Sequence, residues 1–477
     1  MSAARPSVAL DRPTWVHHVV LAALCAVAAI NYVQRNSISP AETTIRADLN
    51  LSRADSGDAI GAFFLAYALL QIPSGWLAQR WGGRLALTVF TAGWSVALAL
   101  CALATALPTL VAGRALMGAL QAGIFPCSTL ILAAWYPASR RGFATAMLTS
   151  FMFIGGAAGS ILTGWLLGPL GWRGVFLVYT LPGLAWAAWF AVWFRNRPEQ
   201  HSSVNPAELA VLRSGDIALP PPSPVVPTVS RAEGIVAHRE ALTGAAEKAA
   251  VMPPLPAPPA RDVSQARTPW LAIFLSPALL VICVQQFSRA GASRFYDTWM
   301  PTYLQEARAH TVAEAGALAS WPQWASVVGV VLGGLLSDAV LAGTRSRIAG
   351  RNGVAVLSLL AGTACFVAAY FIPSTYLAIL AVSLGALIAS FAAPCAYALT
   401  MDMAGRNLGV VFGAMNMAGN LGSWAFAWFI PRLVSRSGGW NSALAVFAGL
   451  HLVAAVCWLV LNPNGTIGEH PPAPPQE

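Results

Sequence analysis

The residues of this chain best placed to do chemistry are four arginines set inside long apolar runs: Arg35, Arg114, Arg289 and Arg294. A guanidinium at membrane depth costs a few kcal/mol even on insertion scales, so it lines a polar cavity or carries a function. Acid is scarce beside them. Asp297 lies three residues from Arg294, within side-chain reach on a helix, while Asp58, Asp338 and Asp402 fall near the ends of runs. The interior is therefore electropositive and favours an anionic ligand, and arginine's planar fork matches a carboxylate through two parallel hydrogen bonds. For Arg35, which closes the first run, snorkelling to the interface is the competing reading. Uncharged polar residues accompany the cations: Asn31, Tyr32, Gln34, Gln285, Gln286, Tyr296, Asn416 and Asn420. Buried amides must find partners, in neighbouring helices or in a ligand.

The elements that must position these groups follow from composition. Of the 477 residues, 57% are hydrophobic and 10% charged, against about a quarter charged in a soluble domain, so this is an integral membrane protein. Apolar runs of about 20 residues cross the bilayer as helices, and barrel strands would alternate instead. The runs fall at 14–36, 57–79, 84–106, 108–135, 141–168 and 172–194, then at 270–304, 312–341, 352–372, 374–401, 407–432 and 439–461. They make an all-α membrane protein of twelve transmembrane helices in two sets of six. The seven cysteines sit singly inside apolar runs, which suggests packing, with no disulfide framework, metal site or cofactor. The net charge of +9 is spread through connections between runs, which fits membrane topology and not nucleic-acid binding. No nucleophile, metal cluster or phosphate loop stands out, so an enzyme is not expected.

The chain divides into an N-terminal bundle at 1–195, a Pro-rich cytoplasmic linker at 196–268 with LPPPSPVVP and MPPLPAPPA, a C-terminal bundle at 269–461 and a tail at 462–477. An even helix number puts both termini on one side. Arg80, Arg84, Arg140, Arg141, Arg345, Arg347, Arg351 and Arg406 share that side, against Arg46, Arg53, Arg173, Arg308, Arg432 and Arg436, a narrow excess that points to cytoplasmic termini. An internal repeat supports the two-bundle division: Arg35 precedes Gln79 of GWLAQRWGGR by 44 positions, and Arg294 precedes Asp338 of GLLSDAVLAGTRSR by 44. In the first loop Gly82 and Gly83 suit a tight turn before Arg84. Gly155 and Gly159 form a small-xxx-small face on helix five, read as packing.

These residues resemble the major facilitator superfamily, in particular its anion:cation symporter branch of bacterial sugar-acid and aromatic-acid permeases, sialin and vesicular glutamate transporters. The landmarks are NYVQRNSISPA, GWLAQRWGGR, RALMGALQAGIFP, AAWYPASRRG, GWRGVF, WMPTYLQE and GAMNMAGNLGS, whose order covers nearly the whole chain outside the linker and tails. The resemblance implies the major facilitator fold, two pseudo-symmetric six-helix bundles with substrate between them. It implies a substrate-binding arginine at Arg35, an asparagine face at Asn416 and Asn420, and a gating motif built from Gly75, Gln79, Arg80, Gly83 and Arg84, with Asp338 in the second copy. Relatives usually carry Asp where Gln79 stands, so only Asp338 keeps the charge of the latch.

Two choices stay open. The family pattern, twelve residues before Pro301, selects Arg289 as the second substrate arginine, whereas the internal repeat selects Arg294. Five residues place them about 140° apart on a helix, which speaks against both facing one ligand. Arg114 is similar to an arginine widespread in the superfamily and suits either a coupling or a substrate role. Sugar-acid symporters of the branch have acids where this chain has Gln34 and Gln121; glutamine can bond substrate but cannot carry a proton. Asp297 is then the coupling candidate, ahead of His17 and His18 at the start of helix one. The expectation is a secondary transporter of a small organic anion, such as a sugar acid or aromatic acid, working by alternating access with a co-transported proton or cation. It is expected to be a monomer, multi-pass in the bacterial inner membrane. The alternatives are an uncoupled facilitator or anion exchanger, and a non-transporting membrane sensor of the same fold.

Overall fold

The computed structural model describes residues 12–214, 270–404 and 407–467. The two proline motifs, Lys248, Arg406 and the tail beyond Ile467 lie outside them. Among the described residues there is no strand.

In the first half, helix one is Val16–Asn36, bends at Ser37 and continues as Ile38–Asp48. Pro40 does not stop it, because Pro40 falls in the first turn of the second segment, where backbone N–H groups have no intrahelical acceptor to lose. Helices two and three are Arg53–Ala102, divided at Gly82, whose φ of 79° is open to glycine and strained for other residues. Helix four runs as Leu107–Gln121 and Ile124–Trp135, and helices five and six are Ala138–Trp193, divided at Gly171. In the second half, helix seven is Pro277–Arg294, a π-helical turn Phe295–Trp299, and Met300–Ala307. Helix eight is Val312–Thr344, helix nine Ile348–Gly353 with Val354–Phe371, and helix ten Thr375–Ala389 with Ala392–Ala404. Helices eleven and twelve are Leu408–Ser437 and Asn441–Val460. The protein is thus a twelve-helix membrane bundle in two halves. Leu181, Leu271, Leu357, Phe371 and Leu459 point outward from it, where lipid would cover them.

The halves repeat in their local chemistry. Helix two opens with a capping box between Ser52 and Asp55, and helix eight with one between Thr311 and Glu314, each satisfying backbone donors at the helix start. Ser52 follows Arg35 by 17 residues, and Thr311 follows Arg294 by 17. The caps and the 44-residue spacing therefore keep one register, in which Arg35 and Arg294 are equivalent.

Close helix contacts carry the bundle. A Cβ on Gly155 would stand 2.3 Å from Ala29 O, and one on Gly159 would stand 2.9 Å from Val33 Cα, so this pair is the packing face of helix five against helix one. A Cβ on Gly83 would meet Ile131 Cγ1 at 2.5 Å. Arg84 secures the same turn to the end of helix six, its backbone N–H donating to Asn196 Oδ1 at 2.8 Å and its Nε to Ala191 O at 2.8 Å. Asp338 pairs with Arg351 at 2.8 Å. Both copies of the loop motif are here engaged within their own half.

Part of the stretch read as linker is structured. Pro198–Gln200 forms a 3-10 turn and Pro206–Ser214 a short helix. That helix docks on the start of helix one: the Glu208 carboxylate accepts from the backbone N–H of His17 at 2.9 Å, lies 2.8 Å from His17 Nδ1 and bonds the Thr14 hydroxyl. Burial pushes the Glu208 carboxyl upward, but the hydrogen bonds from Thr14 and His17 outweigh it and hold the group below the usual range. His17 and His18 belong to this terminal interface, His18 stacked on Trp15 and His17 edge-on to Tyr136.

Candidate functional site

Between the halves lies a cavity of about 300 Å³, and helical periodicity explains which side chains border it. On helix one the lining residues are Tyr32, Arg35 and Asn36, the i, i+3, i+4 stripe of one face. Gln34 lies on the opposite face: it is buried, and its Nε2 donates to Tyr179 O at 2.6 Å and lies 3.4 Å from Ser95 Oγ. A Cβ on Gly183 would stand 2.0 Å from that Ser95 oxygen, so the glycine makes room for the contact. Gln121 is also fully buried away from the cavity, with both amide atoms lacking a hydrogen-bond partner. The structure therefore corrects the expectation that Gln34 and Gln121 contact substrate. They sit in the packing of the first half.

Helix seven lines the cavity through Gln286, Arg289, Ala290, Ser293, Arg294 and Asp297. At about 100° per residue these form one stripe, with Arg289 and Arg294 at its two edges and Ala290, Ser293 and Asp297 between. The separation of about 140° that argued against a shared ligand instead lets the two side chains flank one space. They differ in partners. Arg294 donates to Asp297 Oδ2 at 2.6 Å; Arg289 bonds only the neutral Gln286 Oε1, through Nε at 3.2 Å and an NH2 group at 3.1 Å.

Arg35 is held by rings. Its guanidinium carbon lies 5.2 Å from the ring centroid of Tyr32, 4.8 Å from Phe63, 5.0 Å from Phe64 and 5.3 Å from Tyr67, a cation–π cage that favours the charge without neutralising it. Its Nε has no hydrogen-bond partner, and it makes no ion pair among the described residues. Arg294 lies 5.1 Å from the Phe64 ring, so one aromatic side chain touches arginines of both halves. Arg114 stands behind this layer, 2% exposed and 4.7 Å from the Phe63 ring, and does not line the cavity. Sharing Phe63 with Arg35 makes it a supporting group.

Asn416 and Asn420 line the cavity from helix eleven, together with Phe412, Gly419 and Ser423. Their amide nitrogens donate to Phe412 O at 3.1 Å and Asn416 O at 2.9 Å. Gln323, from helix eight, also lines the cavity and donates to Ser160 Oγ across the halves at 3.2 Å.

The cavity is closed on the face away from the termini. There Thr43 bonds Gln305, Arg46 pairs with Glu306, Arg53 pairs with Glu306 at 3.0 Å, and Arg432 pairs with Asp58 at 2.8 Å, each joining the halves. On the terminus face, among the described residues, no ion pair joins the halves: His17 pairs with Glu208 and Asp338 with Arg351, each within its own half. Asp58 and these far-face pairs were not anticipated. Their partners lie some 250 or more residues apart, and the i, i+4 spacing of Glu42 and Arg46 is the one local signal.

Two six-helix halves around a central cationic cavity, sealed on one face, define a membrane transporter of the alternating-access class and not an enzyme. The chain belongs to the Major Facilitator Superfamily, whose family model matches residues 24–340 and 282–476. It is similar to a protein named as a probable sulfoacetate transporter from Cupriavidus necator, 27% identical with 94% of this chain and 95% of that one covered. It is similar also to a probable galactarate/D-glucarate transporter of Bacillus subtilis, 28% identical over 93% and 91%, and to the D-galactonate transporter of Escherichia coli, 27% identical over 94% and 96%. In fold it resembles the crystal structure of a D-xylose-proton symporter, with a TM-score of 0.67 at 12% identity over 94% of this chain and 98% of that one. It also resembles a bacterial homologue of the lysosomal transporter Spinster in an inward-facing conformation, with a TM-score of 0.65 at 18% identity over 94% and 95%.

Proposed function

We propose that this transporter carries a small organic anion, a carboxylate of the sugar-acid kind, held between Arg35 and Arg289. The observation that carries the reading is that these two guanidiniums border one cavity from opposite halves and neither has an ion-pair partner among the described residues. A buried cation without a counter-ion is expensive, and an anionic ligand relieves two at once. The relatives named for sulfoacetate, galactarate, glucarate and galactonate support the same class. Tyr32, Asn416 and Asn420 complete the site. Each asparagine gives one amide N–H to its own helix, so its side-chain carbonyl can accept from a substrate hydroxyl and its second N–H can donate to one.

Proton coupling is assigned to Asp297. Protonating its carboxylate releases Arg294 toward the cavity, so proton and anion binding reinforce each other. A second reading, uncoupled transport or anion exchange, is favoured by the amides at Gln34 and Gln121, which leave the first half without a buried acid at those positions. We place the terminus face in the cytoplasm of the bacterial inner membrane on the arginine-rich loops of that face, which makes this conformation inward-facing. The carrier works as a monomer.

Uptake into proteoliposomes tests the assignment. Arg35→Gln and Arg289→Gln should each abolish saturable uptake of a labelled sugar acid that other carboxylates compete for in the parent protein. Uptake that persists in both variants refutes the site. Asp297→Asn should lose accumulation driven by a pH gradient while keeping exchange; accumulation retained in that variant moves coupling elsewhere.

A further inference from the structure

Outside the anion site, one buried carboxylate stands at the seam that closes the far face. Glu42 lies on the continuation of helix one and is 2% exposed. Its Oε2 accepts from the Thr302 hydroxyl of helix seven at 3.1 Å, across the two halves. Its Oε1 has no hydrogen-bond partner and faces Arg46 Nε at 3.2 Å. Arg46 is shared: its other end pairs with Glu306 of helix seven, which also binds Arg53 of helix two and the Trp440 indole N–H. The Ser56 hydroxyl, from helix two, and the Glu306 carboxylate also lie near Glu42. Helices five and eight pack on the same segment. Arg173, in the turn after helix five, is held by Asp48, and Glu314, in the first turn of helix eight, by His310.

We propose that Glu42 is a proton-binding site that sets whether the far gate opens. Opening the far face carries Glu306 away with helix seven and leaves Arg46 and Arg53 behind on the first half. With Glu42 ionised, Arg46 keeps a carboxylate one turn away on its own helix, so separation strands less charge. With Glu42 protonated, Arg46 depends on Glu306 alone and the seam holds. The neutral form is well accommodated where it sits, since the hydroxyls of Thr302 and Ser56 can accept a proton as readily as donate one. Acidification on the far side therefore favours the far-closed state, and the proton acts through the gate, not through the anion cavity.

The test is conformational and needs no substrate, so it is independent of the anion assignment. Nitroxides are placed on Ala47→Cys and Ser435→Cys, both exposed at the far face, after the half-buried Cys283, Cys365 and Cys457 are replaced by alanine. Pulsed dipolar distances are measured on the full chain in nanodiscs at mildly alkaline and mildly acidic pH. In the parent the long-distance, far-open population should fall on acidification. Glu42→Gln should show the closed distribution at both pH values, with about tenfold less of the open state at alkaline pH, the scale of one charged hydrogen bond. Glu306→Gln, which removes the competing carboxylate from the seam, should open the gate at both. The opposite signs separate this mechanism from general loosening. A pH response that survives unchanged in Glu42→Gln, or a Glu42→Gln variant that opens the gate, overturns it.

Discussion

Arg294 and Asp297 form a pair with no net charge on the cavity wall, and breaking it from either side should have unequal effects. The two groups are 2.6 Å apart and about a fifth exposed. In Arg294→Gln the Asp297 carboxylate loses its counter-ion while still facing the anion site. With an effective dielectric of about 20 and a separation of about 6 Å, its repulsion of a bound carboxylate is about 3 kcal/mol, roughly a hundredfold in affinity. Asp297→Asn does the reverse, freeing Arg294 and strengthening anion binding. The double variant Arg294→Gln/Asp297→Asn removes a neutral pair and should bind within about threefold of the parent, a coupling that a double-mutant cycle isolates. Equilibrium binding of a labelled sugar acid to purified protein, with all four proteins at one pH and ionic strength, measures it. If the double variant binds as weakly as Arg294→Gln, then Arg294 itself holds the substrate and the screening argument is wrong.

Other expectations rest on packing and on the terminus face. A Cβ on Gly118 would stand 2.1 Å from Phe63 O, and one on Gly422 would stand 2.1 Å from Phe287 O. Alanine at either should lower the thermal-unfolding midpoint, the overpacking costing about 1–3 kcal/mol, whereas Gly409→Ala, with open space around it, should be neutral or stabilising. Glu208 gives a pH dependence whose sign follows from its lowered folded-state pKa. Its contribution is fully present above the ordinary glutamate range, about 4.3, and is lost as pH falls through the lower folded value. Hydrogen exchange across 206–214 should therefore stay slow at neutral pH and rise only in strong acid, and Glu208→Gln should raise it at neutral pH. An unchanged exchange rate in that variant would show that the carboxylate does not hold the helix.

The membrane class, the twelve runs, the two-fold repeat and the cationic interior were legible in the sequence because each depends on local composition or on fixed spacing. Arg35 stood out as a charge closing an apolar run and Asn416 and Asn420 through the family resemblance; that the three line one cavity came from the structure. The stripe logic of helix seven could also have been read by including Gln286, Ala290 and Ser293, which show Arg289 and Arg294 to be two edges of one face. Glu42 was not legible because the first apolar run ends at 36 and Glu42 lies beyond it, on a continuation of the helix whose first turn tolerates Pro40.

What tertiary structure alone decided is orientation and partnership. A helical wheel separates Gln34 from Tyr32, Arg35 and Asn36, but which face meets the cavity depends on helices three and six, whose Ser95 and Tyr179 take Gln34 into the packing. Likewise, nothing local tells Arg46 and Arg53 that their carboxylate lies on Glu306, or Asp58 that its guanidinium lies on Arg432. Charges find partners by distance in space, and in a bundle of two halves that distance is set by which helices close against each other.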